Sequence, residues 1–102
     1  SKDAATNFIT QGVVGIFGAN EGSTTGAGNA IKEAGNAIVG VGFDNSSAIQ
    51  ELIQDGSLLA TMQQNPDKMG YQGMLSAGKI LAGQSVPAAE KNIDTAVSVL
   101  TK

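Results

Sequence analysis

Three short apolar runs, at residues 13–17, 37–43 and 58–62, begin 24 and 21 residues apart and alternate with stretches of helical spacing. Each run is too short for an amphipathic helix and reads as a strand buried on both faces. Between the first two, Ala27, Ala30, Ile31 and Ala34 fall at i, i+3, i+4 and i+7, with Gly35 placed to stop the helix. Between the second and third, Ile49, Leu52 and Ile53 form the stripe. Asn45 or Ser46 caps its start and Gly56 ends it. Strand and helix therefore alternate, which demands parallel pairing through right-handed crossovers. The class is α/β, a parallel sheet with flanking helices.

The flanks fit that scheme. A weaker helix carrying Ala4, Ala5, Phe8 and Ile9 opens the chain before Gly12. Pro66 suits the first turn of a further helix, which places Gly70, Gly73, Met74, Ala77 and Leu81 on one face and stops at Gly83. Residues 83–91, with Pro87, read as a polar surface loop, and residues 93–100 have the β-branched content of a last strand.

Composition excludes several chemistries. At 102 residues the chain makes one small domain. With no Cys and no His there is no thiol nucleophile, no disulfide, no Cys/His metal site and no triad base. A net charge of −3 with six scattered cations gives no footprint for nucleic acid. No apolar run reaches the length of a membrane span, so no membrane insertion is expected. The start at Ser1 rather than Met is compatible with a processed or cut piece.

The glycine-rich stretch 18–28 sits at a strand-to-helix turn, but Ser23, Thr24 and Thr25 stand where a phosphate-binding loop needs Lys. Neither Gly26-Ala27-Gly28 nor Gly40-Val41-Gly42 is followed by the third glycine of a dinucleotide site. The plainer reading is close helix packing. No nucleophile elbow and no selected carboxylate pair appears, so no enzyme and no cofactor is expected.

What survives is positional. In a parallel sheet, ligands bind beyond the carboxyl ends of the strands. Asn20 follows the first strand, Asp44 the second and Gln64 the third. An amide, a carboxylate and an amide suit a neutral polyhydroxy ligand, the carboxylate accepting from two adjacent hydroxyls. Each also has a structural alternative: Asn20 as a turn residue, Asp44 as a helix cap, Gln64 as a solvated strand end.

At these residues the chain resembles ribose-type periplasmic sugar-binding proteins. The resemblance lies in Ile16-Phe17-Gly18-Ala19-Asn20-Glu21, Val41-Gly42-Phe43-Asp44, the stretch from Ala60 through Gln64-Asn65-Pro66 to Asp67, and Ile93-Asp94-Thr95-Ala96-Val97. It implies the C-terminal lobe of a type I clamshell, incomplete here, with Asn20, Asp44 and Gln64 bonding a monosaccharide. It divides the chain into a sugar-binding segment at 1–65, a helix and loop at 66–93 that pack on the N-terminal lobe, and a returning strand at 94–102. Crossovers between lobes fall near Gln64 and near Asp94 and Thr95. The implied role is delivery of a ribose-like pentose or a hexose to an ABC-transporter permease, outside the cytoplasm of a bacterium.

The alternative is the effector-binding core of a sugar-responsive transcription repressor. The chain departs from the family in length, and the turn between Gln11 and Val13 is shorter than usual. The aromatic residues and arginine that complete such sites would lie in the part not present. The apolar face of the 66–83 helix is expected to pack against a second copy of the chain or to fold back onto the sheet. Sugar affinity of this chain alone is expected to be weak, because an opposing lobe supplies desolvation and half the interactions.

Overall fold

The computed structural model describes residues 1–85 and 92–102, in the order α1 (Lys2–Thr10), β1 (Gly15–Phe17), α2 (Glu21–Glu33), β2 (Val39–Phe43), α3 (Ser47–Gln54), β3 (Ala60–Gln64), α4 (Pro66–Leu81) and β4 (Val97–Thr101). Residues 86–91, most of the loop expected at 83–91, lie outside the described residues. The strands form one sheet in the order β1-β2-β3-β4. β1 pairs parallel with β2, setting Phe17 opposite Val41, and β2 pairs parallel with β3, setting Phe43 opposite Met62. The chain divides into two compact units, Ser1–Gln63 with Ser98–Lys102, and Gln64–Val97.

In the first unit, consecutive strands are neighbours. Successive right-handed crossovers then drop their helices on the same side of the sheet. Gly40 and Gly42 turn toward that side: a Cβ on Gly40 would lie 2.6 Å from Ile31 Cδ1, and one on Gly42 would collide with the Thr24 side chain. Their neighbours in the strand, Val39, Val41 and Phe43, face the other way. Burial on both faces is therefore not what the strands show, since Phe17 is 57% exposed and Val39 54%. The apolar runs are continuous because one face packs under helices while the other stays apolar.

The buried core is small and follows the helical spacing. Ile49, Leu52 and Ile53 of α3 enclose Leu58, while Ala5 of α1 packs on Ala27 and Ala30 of α2 with Ile9 and Ile16 beside them. Ile31 is fully buried, whereas Ala34, expected in the same stripe, is the exposed C-cap. Gly28 brings α2 against α3, for a Cβ there would stand 2.6 Å from Leu52 Cδ1. The glycine-rich stretch is thus a packing device.

Helix ends fall where the sequence marks them. Ser46 caps α3 by accepting from the Ile49 amide. Gly35, with φ +80°, closes α2, its amide donating to Lys32 and the next, Asn36, to Ile31. Strand limits moved more. Leu58 donates its amide to Leu52 and closes α3, so β3 runs over Ala60–Gln64 rather than 58–62. The last strand starts at Val97 rather than 93 because Asp94 accepts from the Ala96 amide in a turn that gives Ala96 a φ of +64°.

In the second unit, no residue of α4 is buried. Met74 is 74% exposed and Leu81 89%, so the apolar face expected to be covered is exposed among the described residues. Asn65, at the N-cap position, makes no capping bond; its amide donates to the Thr95 and Ala96 carbonyls at 2.8 and 3.2 Å.

Two outcomes are expected. Gly42→Ala should lower stability by about 1–3 kcal/mol through overpacking against Thr24. Gly73→Ala, in open space, should raise α4 helicity by roughly 0.5–1 kcal/mol. Urea unfolding followed by circular dichroism measures both. Bonds from Ser57, then the Lys32 ammonium 3.0 Å away, lower the Asp55 pKa from 3.8 to about 2. The stabilisation this gives is complete above the unfolded value and disappears as pH falls from 3.8 to about 2. Asp55→Asn should therefore flatten the melting temperature over that interval in a pH series.

Candidate ligand-binding edge

β1 and β2 end side by side, and each delivers one of the expected residues. Three residues past Phe17, Asn20 takes an extended conformation and caps α2. Its Oδ1 accepts from the Ser23 amide at 2.8 Å, while the Ser23 hydroxyl accepts from the Asn20 amide at 3.0 Å. This reciprocal box fixes the side chain at the mouth of a helix N-terminus. The cap uses only the carbonyl half of the amide. Its NH2 half plays no part in that box, so capping and ligand binding do not compete for the same atoms.

Asp44 follows β2 directly and is half-buried, with a φ of +75° that carries the chain out of the strand and toward α3. Its amide donates to the Met62 carbonyl at 2.7 Å, and its own carbonyl accepts from the Thr61 hydroxyl at 2.6 Å. Asp44 is not the cap of α3, a task that Ser46 performs. Gln64 is the last residue of β3 rather than the first beyond it, and belongs to the second unit.

Two residues that matter here escaped the sequence reading. Thr24 and Thr61 are fully buried, and both hydroxyls bond the backbone at the ends of these strands. The available signal was a hydroxyl inside an otherwise apolar strand, for Thr61, and inside a glycine-rich helix start, for Thr24. Asn65 was legible only as the residue before Pro66. A hollow of about 310 Å³ lies at the amino ends of the strands, around Asn36, Gly40 and Ser57. Among the described residues no cluster of three or more metal-ligating side chains occurs. No described helix is long and apolar enough to cross a membrane.

The family model of the periplasmic binding protein domain matches residues 1–85. The chain belongs to the periplasmic binding protein family. It is 38% identical over 77 residues to the ribose import binding protein of Salmonella typhimurium, covering 74% of this chain and 26% of that protein. The D-ribose/D-allose-binding protein of Pseudomonas aeruginosa is 37% identical over 90 residues, 84% of this chain and 28% of its own length. An ABC transporter solute binding protein from Agrobacterium vitis, solved with bound D-fucose, superposes with a TM-score of 0.87 at 40% identity, over 99% of this chain and 35% of that one. The chain thus spans about a quarter of the curated relatives it matches, and these relatives are binding proteins rather than enzymes.

Removing the cap tests the local geometry. Asn20→Ala should cost about 1 kcal/mol of stability, and Asn20→Ser, which keeps a capping oxygen, should cost a few tenths at most. Denaturant midpoints of the two variants check this.

Proposed function

We propose that this chain binds a neutral monosaccharide at the carboxyl ends of its strands, as a C-terminal portion of a solute-binding protein that serves an ABC-type importer outside the bacterial cytoplasm. One observation carries the reading. Asn20 and Asp44 stand at the carboxyl ends of neighbouring parallel strands, in a fold shared at a TM-score of 0.87 with a solute-binding protein holding a sugar. The Asp44 carboxylate suits two vicinal hydroxyls, and the Asn20 NH2 suits a ring or hydroxyl oxygen. Gln64 is the third ligand residue on the strength of its position at the end of β3 and of the sequence motif around it.

The names of the relatives, which cover ribose, allose and fucose, point to pentoses and hexoses with adjacent hydroxyls. The division of labour at 1–65, 66–93 and 94–102 is proposed as well, and the two compact units, which part at Gln64 and Val97, support it. In this reading the exposed apolar residues of α4 face an opposing lobe, and the permease is the partner of the whole protein.

The test is a titration of the 15N-labelled chain with D-ribose, D-allose and D-fucose, followed by amide chemical shifts. At least one sugar should bind in roughly the millimolar range, moving the Asp44 and Asn20 resonances together. Asp44→Ala should weaken that response about a hundredfold or more, since it removes a charged acceptor of two hydroxyls. No shift with any sugar, or an unchanged response in Asp44→Ala, overturns the reading.

A further inference from the structure

The two strand ends that carry Asn20 and Asp44 have lost part of their ladder. β1 stops at Phe17, opposite Val41, so Phe43 has no strand residue of β1 to meet. Thr24 fills that place from α2. Its Oγ1 accepts from the Phe43 amide at 2.9 Å, and its single proton lies between the Phe43 carbonyl at 3.1 Å and the Gly18 carbonyl at 3.3 Å. One buried hydroxyl thus ties the residue before Asp44 to the residue two before Asn20. The fit is tight, because a Cβ on Gly18 or Gly42 would strike Thr24 itself.

Thr61 does the same from the other side. Its hydroxyl, fully buried in β3, donates to the Asp44 carbonyl at 2.6 Å, while the Asp44 amide reaches Met62. A φ of +75° is costly for a residue with a Cβ, and it persists where the surroundings over-determine it. Here both polar groups of the Asp44 backbone are held by β3, and the residue before it by Thr24.

We propose that Thr61 and Thr24 are positioning residues for sugar binding: they hold the backbone of Asp44 in its left-handed conformation so that the carboxylate meets two vicinal hydroxyls without reorganising. This rests on the sugar-binding reading of Asp44 given above. Valine at either position keeps the shape and removes the hydroxyl, leaving buried backbone groups unpaired. Serine keeps the hydroxyl and removes a methyl.

The experiment compares Thr61→Val, Thr61→Ser, Thr24→Val and Thr24→Ser in the 15N-labelled chain. It reads the three-bond HN–Hα coupling of residue 44 without ligand, and the affinities for D-ribose and 2-deoxy-D-ribose by titration. Thr61→Val should move residue 44 out of the left-handed region, weaken D-ribose binding about tenfold and erase the preference over the deoxy sugar. Thr61→Ser should restore all three. A purely structural threonine would lower the melting temperature and leave the coupling and the sugar ratio unchanged, which overturns the inference.

Should a valine variant fail to fold, the unsubstituted chain still decides. Thr61 and Asp44 resonances must respond to D-ribose with the same midpoint, and a silent Thr61 overturns the proposal. If Asp44→Ala loses the sugar response while Thr61→Val and Thr24→Val keep it, the inference falls and the sugar-binding reading stands. If Asp44→Ala keeps the response, the reading itself falls, and the inference with it.

Discussion

The close seating of α2 on the first two strands is the constraint on which the first unit is built. Gly18, Gly40 and Gly42 have no side chain to hold the helix off, so Ile31 and Thr24 reach the strand backbone directly. Everything else in the unit leans on α2. Its Ala27 and Ala30 receive α1, and Gly28 lets α3 approach. Dispersion gains from such packing fall off over a fraction of an ångström, so a methyl at one of these glycines is felt at once. Burial in a chain this small is modest, and the compactness of this one interface offsets it.

That seating also allows polar groups to be buried. Thr24, Thr61 and Ser57 are the buried polar residues among those described. Each hydroxyl has a partner, and no buried side-chain polar atom among the described residues lacks one. A hydroxyl inside a protein is stabilising only when its bond is made, and costly otherwise. At the carboxyl ends of β1 and β2 the bonds of Thr24 stand in for the ladder beyond Phe17, and Thr61 holds the Asp44 carbonyl to β3. The backbone around Asp44 is thereby anchored to neighbouring elements by hydrogen bonds.

Much of this was legible in the residues. Helix punctuation was local chemistry: Pro66 at a first turn, Ser46 as a cap, Gly35 and Gly83 in left-handed stops. The strands existed where apolar runs stood, and the motif residues Asn20 and Asp44 came to the ends of adjacent parallel strands. Strand limits were not legible. Leu58 looks like strand and is spent on closing α3, while Gln63 and Gln64 look like loop and extend β3. Hydrophobicity reports which face is covered, and hydrogen-bond ladders run on past it.

The sequence by itself determined the class, the order of elements and the candidate residues, because periodicity, capping and motif spacing are written within a few residues of one another. Only the tertiary structure decided that the sheet is covered on one face in this unit, because crossover handedness places α2 and α3 together. It alone showed that the glycines serve packing, and that Thr24 and Thr61 brace the strand ends. The bonds from Thr24 to Phe43 and from Thr61 to Asp44 join residues 19 and 17 positions apart, and no local pattern records which buried hydroxyl will meet which carbonyl until the chain has closed around both.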